Sequence, residues 1–477
     1  MATPMPFWLN GRRVSSQNTA PVIAPFGGGV LANVCQASPA DVEAAIAAMV
    51  AGLERWKAWP SHRRAAACDN VHDALQSRAE EFARTLAQEA GKPLKSARGE
   101  VARALTTFRL AAQEATRIAS EQLPVDIDAR SEGYWAIVER FPIGPCSFIT
   151  PFNFPLNLVA HKVAPAMAAG CPFIVKPSER TPMTALLLGE LLAACDLPEG
   201  TWHILPCDRV TARPLVADER IKLLSFTGSP QVGFAMKAAA GKKSVILELG
   251  NASAVIVEAE TDLADAVPRI VRAAFGYAGQ SCISVQRVYL HESIATQATE
   301  MLLAATAELK VGDPLDEATD VGPVIDAAAA ERLQAWITQS GGAILCGNTR
   351  SGNLLAPTIV RNPAPGAALL TQEAFGPVMT LETYADFESA LAMVNATPFG
   401  LQAGIFTRDL HKARRAFTHL DMGGVVINDV PTTRIDNMPY GGIKDSGLGR
   451  EGVRYAIAHL TEPRVLLIRS APPPHTH

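Results

Sequence analysis

One cysteine in this chain stands in a setting suited to a nucleophile. In "GYAGQSCISVQR" (276–287) Cys282 follows a glutamine–serine pair and opens an apolar, strand-like run. A thiol attacks as its thiolate, so it needs a local charge or base, and the adduct needs a donor for its developing oxyanion. Four other stretches offer such groups. "LELGN" (247–251) carries Glu248 inside an apolar run, where a carboxylate is either paired or has a raised pKa, a common route to a general base. "PFNFP" (151–155) brackets Asn153 with aromatics and prolines; a rigid amide there can donate to an oxyanion, or simply form a turn. "FTGSPQVG" (226–233) places Gly228 and Gly233 where backbone amides at a helix start can approach a phosphate. "VKPSERTP" (175–182) carries Lys176 and Glu179, which suit the hydroxyls of a ribose, or a solvated ion pair beside a helix cap.

These groups need a scaffold that brings them together. From residue 146 short apolar runs ("CSFIT", "PFIVKP", "WHILP", "IKLLSFTG", "SVILELG") alternate with helical stretches near 155–169, 181–195, 208–217 and 229–240. Strands alternating with helices imply a parallel sheet covered on both faces, which binds ligands at the carboxyl ends of its strands. Asn153, Lys176, Gly228 and Glu248 all fall at such ends, hence on one sheet edge, and Cys282 follows one strand and one helix later. A thiol, a carboxylate, an amide and a phosphate-binding turn facing one cleft point to covalent catalysis with a dinucleotide.

A second alternating region runs from "SAVIVE" (253–258) to "GGVVIND" (423–429). Before residue 120 the pattern is helical: Ser38 and Pro39 open a helix whose buried face is Val42, Ile46, Met49, Leu53 and Trp56, and further helices are expected over 62–90 and 98–119. A hairpin-like stretch near 120–142 and a terminal strand, "EPRVLLIR", have no partner nearby in sequence.

The 477 residues, 48% hydrophobic and 19% charged, describe a folded chain of two or three domains. A net charge of −4 gives no basic surface for nucleic acid or anionic lipid. No signal peptide and no membrane span is expected, which places the protein in the cytoplasm. Eight cysteines without a CxxC pair, and ten histidines without an HExxH motif, argue for free thiols and against a metal site.

The motifs "PFNFP", "KPSE", "FTGSPQVG", "LELG", "GQSC", "QEAFGPV" and "PYGGIKDSG", in this order across nearly the whole chain, resemble the aldehyde dehydrogenase superfamily. The resemblance implies an α/β fold in three parts: a Rossmann-like cofactor domain (1–119 and 143–249), an α/β catalytic domain (250–445), and a small β oligomerisation element (120–142 and 461–472). It implies Cys282 as nucleophile, Glu248 as general base, and Asn153 with the backbone N–H of Cys282 as oxyanion donors. It assigns cofactor contacts to Lys176, Glu179, Thr150, Phe152, Gly228, Ser229, Gly250, Glu373 and Phe375. The implied reaction is oxidation of an aldehyde to its acid through a thiohemiacetal and a thioester. NAD is expected over NADP because Glu179 would repel a 2′-phosphate, although Arg180 and Arg209 are near in sequence.

In the positions that line the family's substrate tunnel, Phe154 and Tyr440 keep an aromatic character, whereas His161 and Arg434 do not; Ser281, Arg109 and Arg103 border it. An arginine there implies a small polar or anionic aldehyde, unless it pairs with Asp436 or another protein carboxylate. Asn251 and Ala252 stand where many members have a second glycine and then lysine or asparagine, which bears on the freedom of Glu248. A homodimer or homotetramer is implied. The rival readings are an acylating, coenzyme A-dependent enzyme, which would typically lack Glu248, and a binding or structural protein that kept the fold without the activity.

Overall fold

The computed structural model describes residues 3–470. Its first sheet has eight strands, in the order Arg12–Val14, Phe7–Leu9, Trp202–Ile204, Phe173–Lys176, Cys146–Ile149, Leu223–Thr227, Ser244–Glu248 and Gly447–Leu448. The five from Trp202–Ile204 to Ser244–Glu248 are parallel, and the edges are closed by antiparallel strands. Register pairs Ile149 with Lys176 and Thr227 with Glu248, so these strands end level with one another. That alignment turns four motifs far apart in sequence into one row.

The second sheet runs Ala343–Cys346, Thr358–Arg361, Val378–Tyr384, Val285–His291, Ser253–Val257, Gln402–Phe406 and Gly424–Ile427. All its pairings are parallel except that of Ala343–Cys346. Along Ser253–Val257, Val255 and Val257 join one apolar cluster while Ala254 and Ile256 join another. Both faces are therefore buried, as a parallel sheet requires.

The helix Pro39–Lys57 begins as expected: the Ser38 hydroxyl accepts from the Asp41 amide, and the Asp41 carboxylate accepts from that of Ser38. Its buried face includes Gly52 where Leu53 was expected, because a Cβ on Gly52 would lie 2.7 Å from the Gly200 carbonyl. The expected helix over 62–90 is two helices, Ser61–Ser77 and Ala79–Ala90, broken at Arg78. Gly91, with φ of 66°, ends the second, and Leu94–Ala115 starts earlier than the 98 expected. The stretch 208–217 is helical only over Arg213–Ala217.

The terminal strand Thr461–Arg469 pairs antiparallel with Tyr134–Pro142, which also pairs with Glu121–Leu123. The two segments that lacked sequence neighbours thus form a separate three-stranded sheet. Residues 471 and 472, part of the expected element, lie outside the described residues. The stretch between the expected second and third parts also has a place. Val453, Ile457 and Leu460 pack into the apolar core of the first sheet, and Gly447–Leu448 extends that sheet beside Glu248. Among the described residues no helix is long and apolar enough to cross a membrane, and no cluster of side chains could hold a metal ion.

Candidate active site

A cavity of about 270 Å³ opens at the carboxyl edge of the first sheet, between it and the second. Asn153, Glu248 and Cys282 all line it. The loop bearing Asn153 is fixed from below. Glu100 accepts from the backbone amides of Leu156 and Asn157, both at 3.0 Å, and so caps a helix whose own N-cap residue provides no side-chain bond. Glu100 is itself paired with buried Lys92, whose ammonium lies 3.7 Å from the Phe154 ring centroid and 4.4 Å from that of Tyr277. The Asn153 amide donates to the Gln280 carbonyl at 3.0 Å, which ties the Asn153 loop to the segment that bears Cys282.

Cys282 follows a left-handed turn, with φ of 53° at Tyr277, 51° at Ala278 and 66° at Gly279. A Cβ at Gly279 would lie 2.1 Å from the Gly376 carbonyl, so only glycine fits. Beyond the turn, Gln280 accepts from the Ile325 amide at 2.8 Å. Burial pushes the Cys282 thiol up to about 12, with Tyr440 acting in the opposite direction through its hydroxyl, 3.2 Å from Sγ. Among the described residues no other cysteine lines this cavity; six are buried elsewhere and Cys346 is half-buried.

Glu248 is buried with neither carboxylate oxygen hydrogen-bonded. Burial, and then Glu451, raise its pKa well above the usual range against Arg434, Lys162 and Arg450. Asn251 does not crowd it: its side chain turns to Ser253 Oγ at 2.6 Å and the Gln402 carbonyl at 3.3 Å. A bare, proton-hungry carboxylate beside a thiol is the arrangement a general base needs.

On one side the cavity is lined by Phe152, Thr227, Gly228, Ser229, Gly250, Glu373 and Phe375. Ser229 caps the helix Pro230–Ala239 without a side-chain bond, which leaves its first amides free, and the buried Thr227 hydroxyl has no partner. These are features a pyrophosphate would satisfy. Glu373 accepts from the Asn251 amide at 2.9 Å, and burial raises its pKa to about 7. Phe375, held at φ of 51°, packs edge-on to Phe152 with centroids 5.8 Å apart. Lys176, Glu179 and Thr150 lie outside this lining, at and beside the next strand end, with Lys176 Nζ 3.4 Å from Glu179. Arg180 is tied to Asp326 at 2.8 Å.

On the other side are Phe154, Ser281, Arg103, Arg434 and Tyr440. Arg434 donates from one terminal nitrogen to His161 Nδ1 at 2.8 Å and to Glu451 at 3.0 Å, stacks 3.7 Å above the Tyr440 ring, and leaves its buried Nε without a partner. Its protein partner is Glu451, not Asp436. The expectations for His161 and Arg109 need correcting. His161 does not reach the cavity; it stands behind Arg434, with Nε2 3.2 Å from Asp436. In the tautomer that fits, Nε2–H donates to Asp436 and the Nδ1 lone pair accepts from Arg434. Arg109 is turned away onto His72 at 3.1 Å, whereas Arg103 lines the cavity and holds Asp436 at 2.7 Å. Sequence reasoning missed Glu451 and Lys162, which pair across 289 residues, and Lys92 and Glu100, which pair only eight residues apart but act on the distant loop at Phe154 and Leu156; the one local signal was Lys162 beside His161 in a mostly apolar helix.

The model of the aldehyde dehydrogenase family matches residues 13–466. The chain belongs to this family. It is 39% identical over 465 residues to the 3-sulfolactaldehyde dehydrogenase of Priestia aryabhattai, covering 97% of each chain. Among solved structures it is similar to aldehyde dehydrogenase 21 of Physcomitrella patens in complex with the reaction product succinate, with TM-score 0.97, 44% identity, and 98% and 99% of the two chains covered. It is also similar to the NADP complex of glyceraldehyde-3-phosphate dehydrogenase from Methanocaldococcus jannaschii, with TM-score 0.91, 36% identity, and 95% and 100% covered. As an aldehyde dehydrogenase it is an NAD(P)-dependent oxidoreductase, and the α/β fold expected from its motifs is the fold found.

Proposed function

We propose that this aldehyde dehydrogenase oxidises a short aldehyde carrying an anionic group, with water as the final acyl acceptor. The observation that carries the reading is Arg434, buried in the cavity wall with its Nε unpaired and Tyr440 between its plane and the nucleophile. A planar guanidinium with a free donor suits a carboxylate, sulfonate or phosphate. Arg103 lines the same wall, and the adjoining cavity adds Arg272, with Lys92 and Arg269 beside it already paired to Glu100 and to Asp265 and Asp429. Two relatives support the size and charge: one is named for 3-sulfolactaldehyde, and the other was solved with succinate.

Hydride acceptance is the chemistry a bound nicotinamide supplies, with Phe152, Gly250, Glu373 and Phe375 to hold it and Gly228 and Ser229 to hold the pyrophosphate. The Cys282 thiolate forms a bond to the carbonyl carbon, and the oxyanion accepts from the Asn153 side chain and the Cys282 backbone amide. With two electrons gone as hydride, the adduct on Cys282 is a thioester. Glu248 takes a proton from water as the water oxygen attacks; the carbon–sulfur bond breaks and its electron pair returns to Cys282. The unpartnered carboxylate of Glu248 favours hydrolysis over transfer to coenzyme A.

Residues 1–119 and 143–249 serve as the cofactor domain and 250–445 as the catalytic domain. NAD is preferred, because Glu179, half-exposed beside Lys176, can accept from a ribose hydroxyl and would repel a 2′-phosphate, while Arg180 is occupied by Asp326. The protein forms homo-oligomers through Thr461–Arg469, an edge strand on which Val465, Leu466 and Leu467 are 64%, 56% and 55% exposed. Eight free cysteines support a cytoplasmic location.

The test is a panel of short aldehydes, with and without a terminal anion, on wild type and Arg434→Gln. Loss of one partner of a buried charge pair costs about 2–5 kcal/mol, so kcat/KM for anionic aldehydes should fall roughly thirtyfold or more with little change for neutral ones. A wild type that prefers uncharged aliphatic aldehydes would overturn the reading.

A further inference from the structure

We propose that the Tyr440 hydroxyl donates the hydrogen bond that holds the Cys282 thiolate, both before it attacks and when it is expelled from the thioester. This rests on Cys282 being the nucleophile. The hydroxyl lies 3.2 Å from Sγ, and Cys282 is its only hydrogen-bond partner among the described residues. One wall around the thiol is apolar: Ile283 and Leu401 form a small buried cluster with Tyr440, and Cys282 packs against it. A sulfur anion in such surroundings has little water to solvate it, so a single fixed donor counts for more than it would at a surface. Of the two Asn153 N–H donors, one is engaged with the Gln280 carbonyl and the other is the one assigned above to the oxyanion.

Three contacts fix the tyrosine. Its backbone amide and carbonyl both bond to the backbone of Glu451, at 3.1 and 2.6 Å. Its ring lies 3.7 Å beneath the Arg434 guanidinium. Arg434 is held in turn by the same Glu451 at 3.0 Å. One residue, Glu451, therefore sets the tyrosine through its backbone and the cation above the ring through its carboxylate, which keeps the hydroxyl on the sulfur. Burial keeps Tyr440 protonated well beyond the usual range of a phenol, so it remains a donor.

The chemistry uses this donor twice without moving its proton. As the thiolate attacks, its electron pair becomes the carbon–sulfur bond and the hydrogen bond weakens. In hydrolysis the water oxygen bonds to the acyl carbon, the carbon–sulfur bond breaks, and the pair returning to Sγ meets the Tyr440 O–H again. Hydride loss lies between these events and does not need the hydroxyl.

The test is Tyr440→Phe, which keeps the ring under Arg434 and removes one oxygen. Alkylation of the peptide bearing Cys282 by iodoacetamide, followed by mass spectrometry between pH 7 and 9 without aldehyde or cofactor, reads the thiolate directly. A charge-assisted hydrogen bond of ordinary strength, partly offset by the greater nucleophilicity of a more basic thiolate, predicts roughly three- to tenfold slower alkylation. Deacylation, read as the steady state after a burst of NADH, should slow as well, while the rate of the burst from preformed adduct should not. Equal alkylation rates in the two proteins overturn the proposal, even if turnover is impaired, since impaired turnover alone would follow from a displaced Arg434. Because alkylation needs no aldehyde, a shift found in a protein that fails to prefer anionic aldehydes would leave this assignment standing and remove only the substrate reading.

Discussion

Glu248 and Glu451 are 4% and 3% exposed, and the segments that carry them meet where Gly447–Leu448 pairs with the end of Ser244–Glu248. Glu451 accepts from Lys162 at 2.9 Å and from Arg434 at 3.0 Å, and His161 Nδ1 lies 3.3 Å from it. Despite burial, Lys162 and Arg434 hold its carboxyl well below the usual range. The Glu248 carboxylate has no hydrogen-bond partner and is held well above that range. The same residue type, equally buried, is made permanently charged in one place and proton-seeking in the other. A saturated carboxylate can anchor neighbours but cannot exchange a proton without breaking them. A bare one costs stability and is available for chemistry.

The largest effect is expected at Cys282, which shares its cavity with Glu248 and not with Glu451. Cys282→Ala should lower aldehyde oxidation by roughly 10⁴-fold or more while cofactor binding, measured by calorimetry, survives. Substantial residual turnover would leave Glu248 with no thioester to hydrolyse. Glu248→Gln should lower steady-state turnover by about 10²–10⁴-fold yet release about one NADH per site in a fast first phase. If hydride release were lost too, Glu248 would belong with the anchoring carboxylate and the contrast would collapse.

Stability should separate the pair in the opposite sense. Glu451→Ala strands Lys162 and Arg434 and is expected to cost about 3–5 kcal/mol by urea unfolding. Its contribution is present above the ordinary carboxylate pKa and is lost as pH falls through the depressed folded value. Glu248→Gln should be neutral in acid and then grow more stable than wild type as pH rises. The folded pKa of Glu248 is raised, so its stabilisation is full below the ordinary carboxylate value and declines through the folded one. Parallel pH profiles for wild type and Glu248→Gln would show that the carboxylate is satisfied in solution. The smallest effect is expected at the periphery: ending the chain before Glu462 should dissociate or aggregate the protein, seen by light scattering, with the site's residues untouched.

The reactive half of this contrast was legible in the sequence. Strand ends and turn residues are local signals, and parallel register alone carries Asn153, Gly228 and Glu248 to one edge. The anchoring half was not. Glu451 meets Lys162 only because the helix Val453–Leu460 packs back onto Asn157–Ala169, a contact across almost three hundred residues that no local pattern encodes. His161 was misplaced for the same reason: its helix could be recognised, but with every residue of Asn157–Ala169 buried there is no polar face to say which side meets the cleft. Leu53 yielded to Gly52 because the partner surface was backbone, which hydrophobic periodicity does not register. The terminal strand's partner, Tyr134–Pro142, was equally remote, and it was the family resemblance that joined the two.

The return of the chain after residue 445 also sets an order of events during synthesis. The sheet that bears Glu248 has its central strands by residue 248, but its last edge is Gly447–Leu448 and part of its core is Val453, Ile457 and Leu460. A ribosome releasing this protein must finish the entire second sheet before the first can close. Until then Lys162 has no Glu451 to neutralise it, and the apolar face of Asn157–Ala169 remains uncovered. Glu248 and its charged neighbours therefore acquire their final surroundings last, and a nascent chain stalled between residues 283 and 446 carries Asn153, Glu248 and Cys282 with no finished site to hold them.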